Sequence, residues 1–238
     1  IFNYIKDLYW YVVKEIKYMG LSHSPSIVLD GLVSYIDAAN IMCYPGSGTG
    51  TTGLVKTVSC TLNGGVGFSS VNNGFFTFDG SNDYLDFGNS NSVQLFNGTI
   101  SAWVKTSAPG VGFRGIMAKQ NAYGLFYSDS VLVAYDWGAG GGTRSTGINI
   151  ADGAWKNVVM TFQSAVGNGT RIYINGSLAL TTTMTWLNDS QSLYGGAEVS
   201  AGQYAACSGS IFSLYNRVLS ASEVLQNYNA TKGRFGLS

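Results

Sequence analysis

Short segments with a two-residue polarity period, separated by chain reversals, constrain the fold of this 238-residue chain most strongly. The segments are 32–37, 75–78, 84–87, 99–105, 115–119, 124–128, 131–136, 155–162, 171–174, 192–194 and 210–216. Asn-Gly pairs begin at Asn63, Asn73, Asn97, Asn168 and Asn175. Asn-Gly supplies the positive φ angles of type I′ hairpin turns, so we expect each pair to reverse the chain between strands. The pattern predicts an all-β fold, a two-sheet antiparallel jelly-roll sandwich.

Residues 1–19 differ from the rest because their apolar side chains recur at helical spacing. The pattern predicts an N-terminal amphipathic helix, followed by a small polar linker at 20–28 and the sandwich at 29–238. The helix would pack on the sandwich, form the stalk of a homotrimer, dock on a larger assembly, or arise from translation upstream of Met19. Its polar face is only weakly basic, which argues against a membrane-surface role. Charged residues also interrupt any signal-peptide pattern there.

A short helix is predicted near the C-terminus. Residues 220–223 (SASE) form a capping-box pattern, in which Ser220 and Glu223 satisfy each other's backbone amides. Val224, Leu225 and Tyr228 would form the buried stripe of this helix, and Gly233 would end it.

Composition excludes several classes of function. Lysine plus arginine (13) equals aspartate plus glutamate (13), and the basic residues are dispersed, so nucleic acid is a poor partner. The cysteines, Cys43, Cys60 and Cys207, are odd in number and lack metal-ligand spacing. We interpret them as small buried hydrophobic residues rather than a disulfide framework.

Several ordered segments carry a family resemblance. Residues 76–84 (FTFDGSNDY), 99–105 (TISAWVK), 155–162 (WKNVVMTF) and 211–220 (IFSLYNRVLS) together resemble the laminin-G-like domains of the concanavalin A-like lectin/glucanase group. Residues 21–28 and the run 225–236 (LQNYNATKGRFG) resemble such domains in virion proteins of marine tailed bacteriophages. The resemblance implies a virion surface protein: a capsid decoration, head-fibre or tail-fibre module that contacts other virion proteins and surface glycans. The alternative is an extracellular carbohydrate-binding or adhesion module of a secreted bacterial protein.

The carboxylates and the single histidine do not match a catalytic pattern. Retaining sugar hydrolysis needs two carboxylates about 5 Å apart. The glutamates are Glu15, Glu198 and Glu223, which fall in three different predicted elements, and no Glu-x-Asp pattern occurs. The one histidine, His23, lies in the predicted linker, so a Ser-His-Asp triad is not expected in the sandwich. The sequence predicts a protein that is not an enzyme.

A calcium site is one candidate. Asp79, Asn82 and Asp83 crowd a glycine-containing loop with the oxygen ligands that calcium prefers. The alternative is a network of Asx turns, in which these side chains bind their own backbone.

A glycan site is the other candidate, because exposed aromatic rings stack on the apolar faces of sugars while polar side chains bind the hydroxyls. The first choice is Tyr135, Asp136 and Trp137, which precede a glycine-rich run at 138–142, together with Arg144 after it. The second choice is Trp186 with Asn188 and Asp189. Trp103 and Trp155 are expected in the core.

Overall fold

Antiparallel pairing joins the strands of this chain into two stacked sheets. The structure is a computed structural model that describes residues 26–55, 58–71, 74–138, 141–187 and 189–238. Its strands are β1 (Leu32–Asp37), β2 (Thr61–Asn63), β3 (Gly67–Ser69), β4 (Phe75–Asp79), β5 (Tyr84–Asp86), β6 (Asn97–Lys105), β7 (Phe113–Lys119), β8 (Tyr123–Ser128), β9 (Val131–Tyr135), β10 (Thr143–Asn149), β11 (Lys156–Gln163), β12 (Thr170–Ile174), β13 (Ser177–Thr182), β14 (Leu193–Gly195), β15 (Ala197–Glu198), β16 (Gln203–Tyr204) and β17 (Ala206–Tyr215). The helix predicted for residues 1–19 and His23 lie outside the described residues.

The two-sheet antiparallel sandwich is confirmed. One sheet has the order β13-β12-β11-β6-β17-β4-β3, with β1 also paired to β17, and we call it the eight-stranded sheet. The other has the order β10-β9-β8-β7-β14-β5-β2, and we call it the seven-stranded sheet. Strands β15 and β16 pair only with each other among the described residues. Sequence neighbours such as β5 and β6 therefore lie in opposite sheets, as in a jelly roll.

Strand β6 shows how the period of two builds the sandwich. Ile100, Ala102 and Val104 point between the sheets and join the main apolar core. Trp103 is buried as predicted, but it points to the outer face of the eight-stranded sheet. The core prediction for Trp103 and Trp155 is correct, yet both rings belong to a second cluster outside the sandwich interior.

The C-terminal segment covers this outer face. Helix α1 (Ala221–Thr231) starts at the predicted capping box, in which the Ser220 side chain accepts from the Glu223 amide. A 3-10 turn (Lys232–Phe235) follows and brings Phe235 onto Trp103, with ring centroids 4.0 Å apart. One detail of the prediction is wrong, because Leu225 is 46% exposed. The α-helix ends at Thr231, two residues before the predicted stop at Gly233, and the chain leaves the 3-10 turn at Gly236, whose φ is 74°.

The start of the described chain also packs on this face. Val28 is buried, its amide donates to Asn227 Oδ1 at 2.8 Å, and its carbonyl accepts from the Tyr215 hydroxyl at 3.0 Å. Ile27 and Val28, at the end of the predicted linker, therefore pack against the sandwich.

The Asn-Gly pairs have different roles from one another. Asn175 (φ 51°) and Gly176 (φ 75°) make the expected two-residue turn between β12 and β13. Asn168 (φ 56°) lies in the loop from β11 to β12. The prediction is wrong at Asn97, where the pair opens β6, and at Asn63, where the chain crosses between sheets instead of forming a hairpin. Asn73 lies outside the described residues.

Strands that were not predicted are short or exposed. Strands β2 and β3 have three residues each, and β15 and β16 have two. Strands β10 and β13 are edge strands with mostly exposed side chains, so no apolar alternation marks them. The three cysteines are free; Cys43 and Cys60 are buried as predicted, whereas Cys207 is only partly buried. Burial raises the pKa of the Cys60 thiol to about 12.

Candidate functional site

A cavity of about 290 Å³ lies on the outer face of the seven-stranded sheet. Strands β8 and β9 send Leu125 and Leu132 into the main core, while Phe126 and Val133 form a separate apolar cluster on the outer face. Aromatic side chains on the outer face of a sheet are buried only where another segment of the chain covers them. The cavity therefore sits on a part of the sandwich whose outer face is apolar rather than polar.

Four aromatic rings form one wall of the cavity. They are Phe113, Phe126, Tyr135 and Trp137. Tyr135 packs edge-on against Trp137 at 5.3 Å and against Phe113 at 5.4 Å. Tyr135 and Trp137 keep part of their surface exposed, so each ring offers both a packed side and an accessible side.

The β15–β16 hairpin forms the opposite wall. Gly115 in β7 makes this possible, because a Cβ atom there would lie 2.2 Å from the Ala197 carbonyl carbon. The hairpin thereby brings Glu198, Ala201 and Gln203 to the cavity. Glu198 is 1% exposed, and its carboxylate accepts from the amides of Ser200 at 3.1 Å and Ala201 at 2.9 Å.

The β7–β8 turn supplies the polar end of the cavity through Gln120 and Asn121. Asn121 has a φ of 56°, and its Nδ2 donates to Asp189 Oδ2 at 3.0 Å. The buried Lys119 donates to the carbonyls of Asp189 at 2.8 Å and Gln191 at 2.6 Å. Burial lowers the pKa of Lys119, and the Asp189 carboxylate, 3.3 Å away, opposes that shift. This network holds the turn against the loop before β14.

The family comparison matches residues 79–225 to the model described as the concanavalin A-like lectin/glucanases superfamily, which is more than half of the chain. The chain belongs to this superfamily. A comparison with curated protein sequences finds no matching protein.

Solved structures with the same fold include binding domains and an enzyme. The binding domain of Paraclostridial Mosquitocidal Protein 1 has a TM-score of 0.66 and 14% identity, over 87% of this chain and 55% of that one. The botulinum neurotoxin serotype D ligand-binding domain in complex with N-acetylneuraminic acid has a TM-score of 0.64 and 13% identity, over 84% and 50%. Trypanosoma rangeli sialidase in complex with sialic acid has a TM-score of 0.64 and 17% identity, over 86% and 33%. The lectin-like chain thus spans about half or less of these chains.

Within this lectin-like fold, the first predicted glycan site separates into two parts. Tyr135 and Trp137 line the cavity, whereas Asp136 is fully buried. The Asp136 carboxylate binds Arg144 at 3.0 Å and accepts from the amides of Gly138 at 3.1 Å and Thr185 at 3.2 Å. The prediction that Asp136 contacts ligand is wrong, because all of its surface is used to hold the segment that carries Trp137. Arg144, its partner, does not line the cavity.

In the second predicted glycan site, the prediction that Trp186 contacts a sugar is wrong. Trp186 is 1% exposed and packs in the main core against Phe162, with centroids 5.6 Å apart, so its ring has no face for a sugar. Asp189 instead positions Lys119 and Asn121, and Asn188 lies outside the described residues.

In the predicted calcium loop, the carboxylates bind backbone amides. Asp79 Oδ1 accepts from Ser81 at 2.8 Å and from Asn82 at 3.3 Å, and Asp83 Oδ2 accepts from the Asp79 amide at 3.0 Å. The bonds that the Asp79 carboxylate accepts lower its pKa, with the Ser81 amide as the main cause. The geometry matches the Asx-turn alternative, and the calcium site stays a prediction.

The described glutamates lie far apart in the fold. Glu198 lines the cavity, while Glu223 caps α1 on the other sheet and pairs with Arg217 at 2.6 Å. The sialidase among the similar structures is matched over only 33% of its chain. No described helix is long and apolar enough to cross a membrane.

Sequence reasoning missed most of the polar cavity lining. Gln120, Asn121, Glu198 and Gln203 come from two turns that are 77 residues apart (121 to 198) and carry no shared motif. The glycine at 115 was a signal in principle, since a strand glycine often marks the close approach of another backbone.

Proposed function

We propose that the protein is a non-catalytic carbohydrate-binding module and that the cavity beside Trp137 is its ligand site. The observation that carries the proposal is the composition of the cavity, in which partly exposed aromatic rings face amides and a carboxylate. This is the arrangement of a small-ligand site, which pairs an apolar surface with a few convergent polar groups.

Hydrogen bonds hold the walls of the cavity in place, which favours binding. Asp136 fixes the segment of Trp137 through three hydrogen bonds, and Lys119 and Asp189 fix Asn121. A preorganised site loses little conformational entropy when ligand binds. Two of the similar structures contain a sialic acid, so sugars are the natural ligands to test first.

A glycan array followed by calorimetry tests the proposal. Trp137→Ala should weaken binding at least tenfold, about 1.4 kcal/mol, because it removes the accessible ring. Since Trp137 also packs on the core, a second variant avoids a folding defect. Asn121→Gly keeps the positive φ of its turn and should also weaken binding, whereas Asn168→Gly, at the same φ of 56° in a distant loop, should not.

The result that contradicts the proposal is sugar binding that both Trp137→Ala and Asn121→Gly leave unchanged. Circular dichroism should first show that the variants are folded. Absence of binding to any glycan on the array would also overturn it.

We further propose that the module is displayed on a bacteriophage particle, as a capsid decoration or as a head-fibre or tail-fibre domain. The resemblance of residues 21–28 and 225–236 to virion proteins of marine tailed bacteriophages supports this setting. The described part of the run 225–236 packs on the sandwich through Phe235, so the resemblance covers a structured segment. Mass spectrometry of purified particles should find the chain; its presence only in a bacterial secreted fraction would favour the extracellular adhesion alternative.

A further inference from the structure

We infer that the cavity selects neutral sugars and discriminates against sialic acids and uronic acids. The inference rests on the proposed function, because it names the class of glycan that the same site binds. It follows from the charges and hydrogen-bonding groups that line the cavity.

The cavity lining contains a carboxylate and no cationic side chain among the described residues. Glu198 supplies the carboxylate, and its described partners are the backbone amides of Ser200 and Ala201 rather than a lysine or arginine. None of the described ion pairs includes Glu198. A ligand carboxylate placed here would meet a like charge in a partly enclosed site, where screening by water is reduced.

The lysine and arginine side chains closest in sequence to the lining residues lie or make their contacts outside the cavity. Lys119 is 0% exposed, and its ammonium group is bound to the loop that contains Asp189. Arg144 pairs with Asp136. Arg114 follows Phe113 in β7, so its side chain leaves the strand on the opposite face. Among the residues that the structure describes, an acidic sugar therefore has no counter-ion in the cavity.

A second carboxylate adds to the negative field on this face. Tyr194 and Asp86 are paired across β14 and β5, beside the β15–β16 hairpin. Burial raises the pKa of the Tyr194 hydroxyl, and the charges of Asp86 and Glu198 raise it further. Asp86 and Glu198 are thus two carboxylates on the same outer face as Tyr194.

The hydrogen-bonding groups match hydroxyls. The Asn121 side-chain amide group donates to Asp189, and its Oδ1 makes no hydrogen bond within the described residues, so it is left to accept. The Glu198 carboxylate already accepts from the amides of Ser200 and Ala201, so the Asn121 oxygen is the acceptor that a sugar hydroxyl can reach. A ligand carboxylate cannot donate to this oxygen when it is ionised.

Calorimetry with two matched ligands tests the inference. The probes are a neutral oligosaccharide that the array identifies and the same oligosaccharide ending in sialic acid. The wild-type chain should bind the neutral ligand at least tenfold more tightly. Gln120→Lys places a cation at the cavity rim and should lower this ratio by about threefold, as expected for an exposed charge pair. Gln163→Lys, the same change at an exposed site on the eight-stranded sheet, should leave the ratio unchanged.

The outcomes separate the inference from the proposed function. Equal or tighter binding of the sialylated ligand, lost in Trp137→Ala, would overturn the neutral-sugar inference and support a glycan site. An unchanged ratio of neutral-ligand to sialylated-ligand affinity in Gln120→Lys would also overturn the inference, since the charge of the cavity would then not decide selectivity. Binding of neither ligand, or binding that ignores Trp137 and Asn121, would overturn the proposed function and the inference together. The effect of Gln120→Lys should vanish at 1 M salt, where the Debye length is about 3 Å.

Discussion

Replacing Trp103 with alanine should be among the most destabilising single changes in this chain. Its ring is 1% exposed and lies between the eight-stranded sheet and the C-terminal segment. It stacks on Phe235 at 4.0 Å and on Tyr228 at 5.9 Å, and its Nε1 donates to Thr231 Oγ1 at 3.0 Å. The change therefore removes packing and a hydrogen bond together.

The magnitude follows from these contacts. A buried tryptophan truncated to alanine costs about 3–5 kcal/mol, which includes the cavity that is left. The part that depends on Phe235 is about 0.5–1.5 kcal/mol, the usual energy of an aromatic pair beyond its burial. For a domain of this size, each kcal/mol lowers the thermal midpoint by about 2–4 °C, so the midpoint should fall by roughly 10 °C.

Urea unfolding followed by circular dichroism measures the effect. The set comprises wild type, Trp103→Ala, Phe235→Ala and the double variant, which together isolate the coupling between the two rings. Val111→Ala is the control, since Val111 is 84% exposed and should change stability by less than about 0.5 kcal/mol. A cost below about 1 kcal/mol for Trp103→Ala, or additive effects of the two single changes, would refute the idea that the C-terminal segment clamps this ring.

Two further predictions concern pH and calcium. The Arg217 guanidinium lowers the pKa of Glu223 to about 2, so the carboxylate stabilises the fold above its unfolded pKa of about 4.3 and loses that contribution as the pH falls toward 2. The stability difference between wild type and Glu223→Gln should therefore be present at pH 7 and shrink between about pH 4.5 and 2; a constant difference would contradict the ion pair. Because Asp79 and Asp83 already accept backbone amides, adding calcium after chelation should move the thermal midpoint by less than about 1 °C, and a rise of several degrees would establish the calcium site instead.

Some residues of the candidate site could be predicted from the neighbouring sequence, whereas the role of others depends on contacts that only the fold brings together. Tyr135 and Trp137 were predictable because aromatic residues ahead of a glycine-rich tip mark a hairpin end where rings can face outward. Asp136 was misassigned because a carboxylate between two such rings looks equally suited to bind ligand or backbone. Only its contacts with Gly138, Thr185 and Arg144 show which it does.

Trp103 and Trp186 show the same limit in the core. Trp103 was predicted in the core and Trp186 in a glycan site. For Trp103, strand periodicity says only that neighbours point to opposite faces. It does not say which face meets the other sheet. Trp103 is buried outside the sandwich because α1 and Phe235 cover it, and Trp186 is buried inside because its segment returns against Phe162.

The sandwich, the C-terminal helix and the superfamily could be predicted from the sequence, because period-two segments, capping residues and ordered motifs are local signals. The tertiary structure alone decided where the cavity lies and what charge it has. Its walls join β7, the β8–β9 aromatic rings and the β15–β16 hairpin through the close approach at Gly115. Such contacts depend on strand order and on one glycine that lets two backbones meet, and neither is encoded within any single segment.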